Sequence, residues 1–132
     1  INKIEDSGKW VEKELKTLKE AMNLGNIKEP SVKIFEGYLQ VNETGVYEFS
    51  TNLNQFYIAN NLLIDNSKGV KKYSRNDAEI ALEAGLHPIK IIQLNNIEGG
   101  WPQLWNDGDV YFKTPSSIKL EPIPSQQIFS LK

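Results

Sequence analysis

The sequence of 132 residues contains no cysteine, a single histidine and a single methionine. The absence of cysteine excludes disulfides and argues against a small disulfide-built module, while remaining compatible with a bacterial periplasmic or surface protein. Because His87 stands alone, a metal site made of several histidines is excluded, and a Ser-His-Asp triad would have to be built around it. Its position at the start of an apolar strand favours a structural role.

The chain also lacks a strong charge and a long apolar run. Fifteen basic and seventeen acidic residues leave a formal charge of −2, which indicates neither nucleic acid nor an anionic membrane as a partner. The apolar runs are too short to span a bilayer. The length suits one domain with its own core. The sequence starts at Ile1 without a signal-like segment, so we expect a piece of a longer polypeptide.

Residues 1–32 form a polar, charged lead-in to a domain that we place at residues 33–132. Apolar residues in the lead-in fall near helical spacing, and Gly25 is a plausible stop. This pattern predicts a helix carrying Trp10, Val11, Leu15, Leu18 and Met22.

From Val32 onward the sequence is typical of β-structure. An alternating run ends at Val41, Asn42–Gly45 interrupts it, and a second aromatic-rich run begins at Val46, which predicts a β-hairpin over Phe35–Phe49. Further strands are predicted at Gln55–Ile58, Leu62–Asp65, Asp77–Ala84, Leu86–Leu94, Val110–Lys113 and Ile118–Glu121. Many short strands separated by turns indicate an antiparallel sandwich or barrel.

Two positions within these strands carry specific expectations. Asn tolerates a positive φ angle, so Asn60-Asn61 is predicted to form a two-residue hairpin turn. Pro88 has no N–H to donate, so we expect it at a strand start, an edge or a bulge of the apolar strand Leu86–Leu94.

Four pieces of the sequence follow one another in order: the Phe35–Phe49 stretch, Phe56–Ile58 with Leu62–Asp65, Leu82–Ile89, and Pro122–Ser125. Together they resemble the domain named after the anthrax protective antigen. The resemblance covers Ile34 to Ile128 and implies an all-β antiparallel sandwich with a partly helical or irregular lead-in.

Calcium-dependent sugar-binding members of this family carry two adjacent aspartates between the second and third of these strands, as suits a hard cation. Here the connection is Ser50–Gln55, which contains no aspartate. The amide oxygens of Asn52 and Asn54 are poor calcium ligands without a carboxylate. We therefore expect no metal and no cofactor.

The long loop at residues 95–108 contains the candidate carbohydrate-binding residues Trp101, Trp105, Asn106 and Asp107. Indole rings stack on the apolar faces of sugars, and Tyr73 and Tyr111 could complete an aromatic platform. The alternative is that the tryptophans cover the open end of the core.

Two further segments have a structural and a functional interpretation. The acidic pair in Asn106–Asp109 could contribute to a calcium site, but Asn, Asp and Gly together are more typical of a turn. The basic loop could contact an acidic partner, although a solvated loop is the simpler interpretation; its cations are Lys68, Lys71, Lys72 and Arg75.

The resemblance implies a non-catalytic accessory domain of a secreted bacterial glycoside hydrolase. Trp10, Leu15, Leu18 and Lys19, with the Ile-Pro ending, resemble domains that follow the catalytic barrel of β-N-acetylhexosaminidases. The expected partner is a glycan or the parent catalytic domain, with no nucleic acid and no membrane, in a monomeric, extracellular, cell-surface or periplasmic protein. A free carbohydrate-binding or adhesin module and a protein-interaction or spacer domain remain alternatives.

Overall fold

The structure, a computed structural model, describes residues 3–6, 9–12, 22, 31–66, 76–95 and 109–130. Within these residues the chain forms eleven β-strands and a short 3₁₀ helix at Ser125–Gln127. The strands are β1 Lys3–Asp6, β2 Lys9–Glu12, β3 Ser31–Val41, β4 Gly45–Thr51, β5 Gln55–Ile58, β6 Asn61–Asp65, β7 Asn76–Leu82, β8 Gly85–Asn95, β9 Val110–Lys113, β10 Glu121–Pro122 and β11 Ile128–Ser130. These ranges hold no helix with the length and apolar character that a membrane span needs.

The described strands form two antiparallel sheets. The larger has seven strands in the order β2-β1-β3-β8-β5-β6, with β11 also paired to β3. The smaller has four strands in the order β10-β9-β4-β7. The predicted fold class, an antiparallel β-sandwich, is confirmed.

The core lies between the two sheets because apolar side chains alternate with polar ones along the strands. On β3, for example, Phe35 and Leu39 are buried while Tyr38 is exposed. The rings of Phe49 on β4 and Phe56 on β5 join the sheets, with centroids 5.1 Å apart. The other buried apolar residues are Met22, Phe35, Leu39, Val41, Tyr47, Leu53, Ile58, Ile64, Leu82, Ile89, Ile91, Val110, Phe112, Ile123 and Ile128.

Strand β8 is the core strand that the sequence predicts at Leu86–Leu94. It pairs with β3 from Gly85 opposite Val41 to Asn95 opposite Ser31. Its pairing with β5 ends at Ile89, and beyond that point the Pro88 carbonyl accepts a hydrogen bond from Ala59 N–H at 2.9 Å. In a strand, the N–H and C=O of one residue point to the same side, so an N–H at Pro88 would also point towards β5. Because the β5–β8 pairing has ended there, the missing donor breaks no hydrogen bond of that pairing and costs little stability.

The predicted hairpin at Phe35–Phe49 is wrong. Strands β3 and β4 form as expected, but β3 pairs with β1, β8 and β11, whereas β4 pairs with β7 and β9 in the other sheet. The connection at residues 42–44 therefore crosses between sheets, and the apolar faces of the two strands pack against each other across the core. Gly45 permits the crossing, since a Cβ there would lie 2.6 Å from Pro115 Cγ.

The side chain of Tyr47 holds this crossing in place. Its hydroxyl donates to Glu43 O at 2.7 Å, and its ring is buried in the core. Burial raises the pKa of the Tyr47 phenol above its ordinary value of 10.0, because the charged phenolate is poorly solvated there.

Tyr47→Phe is expected to lower the free energy of unfolding by about 1 kcal/mol at neutral pH, the usual net value of one hydrogen bond. Above about pH 10, the unfolded chain loses its phenolic proton before the folded chain does, so this contribution of Tyr47 to stability falls as the pH rises through the folded pKa. Tyr47→Phe has no phenolic proton to lose at this position, so this part of the alkaline fall in stability should be absent from the variant. Urea unfolding on both sides of pH 10 measures the difference, and identical alkaline losses in both proteins would contradict it.

The two-residue turn between β5 and β6 lies one residue earlier than predicted. Ile58 pairs with Asn61, so the turn is Ala59-Asn60, with φ angles of 52° and 65°. Two positive φ angles are the geometry of a type I′ turn, whose twist matches the flanking strands. The Asn61 side chain supports the turn by donating to Ala59 O at 3.0 Å.

Predictions near the two chain ends are corrected as well. Only Glu121 of the predicted strand Ile118–Glu121 lies in a strand, and Ile118 is 96% exposed. Strand β11 was not predicted; it pairs with Gly37–Leu39 of β3. Trp10 and Val11 lie in β2, so the helix is wrong at these positions, whereas Met22 is helical as predicted. Residues 13–21 and 23–30 lie outside the described residues, and the division into 1–32 and 33–132 stays a prediction.

Candidate functional site

All buried polar residues in the described part of the chain lie towards one end of the sandwich, which we term the polar end. The strand pairing brings together the start of β3, the ends of β4, β6 and β8, and the starts of β5, β7 and β9. The polar end comprises Lys33, Ser50, Thr51, Asn52, Asn54, Asn66, Gln93 and Asp109. Burying a polar group costs free energy unless the group is hydrogen-bonded. The hydrogen bonds among these residues therefore show how the polar end is built.

Asn66 connects three parts of the polar end. Its side-chain amide donates to Leu53 O at 2.7 Å and to Thr51 O at 3.2 Å. Its backbone N–H donates to Asn54 O at 2.7 Å, and Asn76 donates to its side-chain oxygen. With 2% of its surface exposed, Asn66 fixes the β4–β5 connection through bonds that water cannot replace without entering the core.

Thr51 and Asp109 connect the same end to strand β9. The Thr51 hydroxyl donates to Asp109 O at 2.7 Å and accepts from Leu53 N–H at 3.1 Å. The Asp109 carboxylate accepts from Val110 N–H at 2.9 Å. For Asp109, the predicted structural role in a turn is thus supported by a local bond to the backbone.

Among the buried polar residues that the structure describes at the polar end, Asp109 alone carries a carboxylate. Within the described ranges, no three Asp, Glu, His or Cys side chains converge as a metal would require. The carbonyl oxygens of Thr51 and Leu53 converge on one point, but the amide nitrogen of Asn66 occupies it. A neutral N–H donor therefore satisfies these two carbonyl oxygens.

We expect calcium to leave the melting temperature of chelator-treated protein unchanged. A ligand that binds only the native state at one hundred times its dissociation constant adds about 2.7 kcal/mol of stability. Differential scanning calorimetry with and without millimolar calcium measures this. A stoichiometric heat of binding, or a melting temperature that rises with calcium, would show that a metal site exists.

The predicted site residues Trp101, Trp105, Asn106 and Asp107 lie outside the described residues. The same holds for Tyr73 and for the basic residues Lys68, Lys71, Lys72 and Arg75. The segments that contain them, 67–75 and 96–108, connect strands whose ends meet at the polar end.

The structure does place two other candidates. Tyr111 lies on β9 between the buried residues Val110 and Phe112, so it faces the outer side of the smaller sheet. A ring nitrogen of His87 lies 2.6 Å from Glu83 O, which supports the predicted structural role of this histidine.

Sequence reasoning missed the residue that organises the polar end. In the sequence, Asn66 is the first residue of a polar segment that is predicted to be a loop, and the residue types around it do not distinguish it from its neighbours. Its partners come from β4 and from β7, and only the pairing of distant strands reveals them.

Comparisons with known proteins agree with this architecture. A β-hexosaminidase of Porphyromonas gingivalis is 43% identical over 111 residues, which are 84% of this chain and 14% of that enzyme. An anti-sigma factor domain-containing protein has a similar fold, with a TM-score of 0.72 and 20% identity over 98% of this chain and 47% of its own. The epithelial adhesin 9 A domain of Candida glabrata, solved with Galβ1-3GlcNAc, gives a TM-score of 0.54 and 12% identity over 77% of this chain and 52% of its own.

The family model for the PA14 domain matches residues 17–125, most of the chain. This agrees with the resemblance to the protective-antigen domain found in the sequence, and with the sandwich seen in the structure. The chain belongs to the PA14 domain family.

Proposed function

We propose that this chain is a non-catalytic accessory domain of a secreted bacterial glycoside hydrolase, in which it contributes to carbohydrate binding or packs on the catalytic domain. The observation that carries the proposal is the 43% identity to a bacterial β-hexosaminidase, of which the chain spans only 14%. A segment of that size is one domain of a much larger enzyme.

The polar end provides the frame on which such binding would depend. Binding residues are commonly held on loops that a rigid scaffold positions. Here the bonds of Asn66 and Thr51 hold the β4–β5 connection and the start of β9 together. The loop carrying Trp101 and Trp105 joins β8 to β9, and Asp109, which follows it, is bonded to Thr51 of this frame.

The fold is also compatible with a sugar ligand. The adhesin domain with a similar fold was solved in complex with Galβ1-3GlcNAc. Tryptophan offers a large apolar ring and an N–H donor at a low cost in side-chain entropy. We therefore place the contact with glycan, or with the parent's active site, at Trp101 and Trp105.

Alanine substitution of Trp101 and of Trp105 tests this assignment, with Trp10→Ala on strand β2 as a matched control. Binding to galactose- and N-acetylglucosamine-containing oligosaccharides and the melting temperature are measured for each variant. A contact tryptophan should weaken binding with little change in stability, whereas a core tryptophan should cost about 3–5 kcal/mol of stability.

The alternatives give different results when the hydrolase activity of the chain joined to a catalytic domain is measured as well. A spacer domain would bind no oligosaccharide in any variant. A free adhesin module would bind glycan without any effect on hydrolase activity when it is joined to a catalytic domain. If both substitutions only unfold the protein, the loop is structural and the assignment of the contact is wrong.

A further inference from the structure

The outer face of the larger sheet contains a hollow of about 310 Å³, away from the polar end and outside the core. Three adjacent strands form its floor, since Glu36 on β3 lies opposite Lys90 on β8, and Lys90 lies opposite Tyr57 on β5. Pro88 and Asn60 line it on the side of the β5–β6 turn. The bond from Ala59 N–H to the Pro88 carbonyl holds that turn against β8.

The polar side chains that line the hollow carry one carboxylate, one ammonium, one amide and the Tyr57 hydroxyl, which donates to Gln55 Oε1 at 3.4 Å. Lys90 Nζ lies 3.9 Å from Glu36 Oε1, and both side chains are about two-fifths exposed, at 42% and 37%. This separation exceeds hydrogen-bonding distance. The ammonium can therefore donate, and the carboxylate accept, further hydrogen bonds from a group placed beside them.

The apolar part of the hollow lies next to this ion pair. The Tyr57 ring has its centroid 5.9 Å from Lys90 Nζ, and the Pro88 ring lies on the neighbouring strand. Beyond Pro88 the apolar surface continues across the sheet, because Tyr38 lies opposite Pro88 and Phe129 lies opposite Tyr38. Both aromatic side chains are well exposed, at 37% and 46%.

We propose that this hollow is a second carbohydrate-binding site, which takes one or two neutral sugar units of a glycan. The inference rests on the proposed carbohydrate-binding function and adds a site on the sheet face to the one at the polar end. A sugar has an apolar C–H face that packs on Tyr57 and Pro88. Its hydroxyls donate to the Glu36 carboxylate and accept from the Lys90 ammonium and the Asn60 amide.

The charges in the hollow select among ligand classes. Glu36 repels an anion and Lys90 repels a cation, so a neutral ligand rich in hydroxyls is the best match. A protein partner matches less well, because charged residues are depleted at the centre of protein interfaces. Small-molecule sites combine apolar walls with a few placed polar groups, as this hollow does, and begin at roughly 300 Å³.

The experiment titrates the ¹⁵N-labelled chain with lactose and with an N-acetylglucosamine trisaccharide, and follows the amide resonances by NMR. Tyr57→Leu and Glu36→Gln remove the ring and the carboxylate. Glu121→Gln is the matched control, since Glu121 forms a surface ion pair with Lys119 of almost the same separation, 4.0 Å, on the other sheet.

A shift of the β3, β5 and β8 resonances that saturates, and at least fivefold weaker binding in Tyr57→Leu and Glu36→Gln but not in Glu121→Gln, would support the site. Saccharide-induced shifts confined to the polar end, with affinity unchanged in all three variants, would overturn it while leaving the proposed function intact. The absence of any shift with any saccharide would overturn the carbohydrate-binding function together with this site.

Discussion

Asn66→Asp is expected to lower the free energy of unfolding by about 2–6 kcal/mol, since it removes the donor that bonds two buried carbonyl groups, at about 1–3 kcal/mol each. The substitution keeps the shape of the side chain and removes both N–H donors. Thr51 O and Leu53 O would then face a carboxylate oxygen in place of the amide nitrogen that they now contact. Urea unfolding measures the loss, with an unchanged m-value showing that the folded state remains compact.

Asn61→Asp is the matched control for this experiment. Asn61 is exposed, and its side chain makes one bond, to Ala59 O. We expect the control to cost less than about 1 kcal/mol, as is usual for a surface substitution. If Asn66→Asp were as mild as the control, the polar end would be held by other contacts, and the central role assigned to Asn66 would be wrong.

Phe49→Ala is expected to cost about 3–5 kcal/mol, the range seen for truncating a fully buried phenylalanine. The Phe49 ring is completely buried. Its centroid lies within 6.3 Å of the Phe56, Tyr47 and Phe112 rings, which belong to both sheets. Removal of the ring leaves a cavity at the centre of the sandwich that the surrounding side chains fill only partially.

Phe129→Ala makes the same chemical change at a ring that is 46% exposed, and should cost far less. Thermal and urea unfolding of both variants give the comparison. A cost for Phe49→Ala no greater than that for Phe129→Ala would show that the sheets are held together elsewhere. Because a loss of several kcal/mol is a large part of the stability of a domain this size, the variant is best studied at low temperature.

The two substitutions separate the two structural tasks of the molecule. Phe49 holds the sheets together, whereas Asn66 fixes the β4–β5 connection to the end of β6 and the start of β7. If the proposed function is correct, Asn66→Asp should weaken glycan binding at the polar end under conditions in which the protein remains folded. Binding in the sheet-face hollow at Tyr57 and Lys90 should be unaffected, since the partners of Asn66 do not line that hollow.

Local sequence predicted strands best where burial alternates strictly. Strands β5 at Gln55–Ile58 and β9 at Val110–Lys113 match the prediction residue for residue. Each alternates buried and half-buried residues, which is the period of a strand with one face on the core. The pattern also identified β8 as a core strand. These features depend on neighbours along the chain, so the sequence alone contains them.

The choice of strand partner was not contained in the local pattern. The run Phe35–Phe49 has two apolar strands and a Gly-containing turn, and either a hairpin or a crossing between sheets buries the same faces. The crossing occurs because β8 occupies one side of β3 while β1 and β11 take the other. The local sequence of β3 and β4 does not show which strands compete to pair with β3, because those strands come from distant parts of the chain.

The sequence by itself determined the all-β class, the family, most strand positions and the absence of an aspartate pair between β4 and β5. Each of these depends on residue types and their spacing. The tertiary structure alone decided that β3 and β4 lie in different sheets, that Asn66 organises the polar end, and that Tyr57, Lys90 and Glu36 line one hollow. These residues come from separate strands, and only the pairing of those strands brings their side chains next to one another.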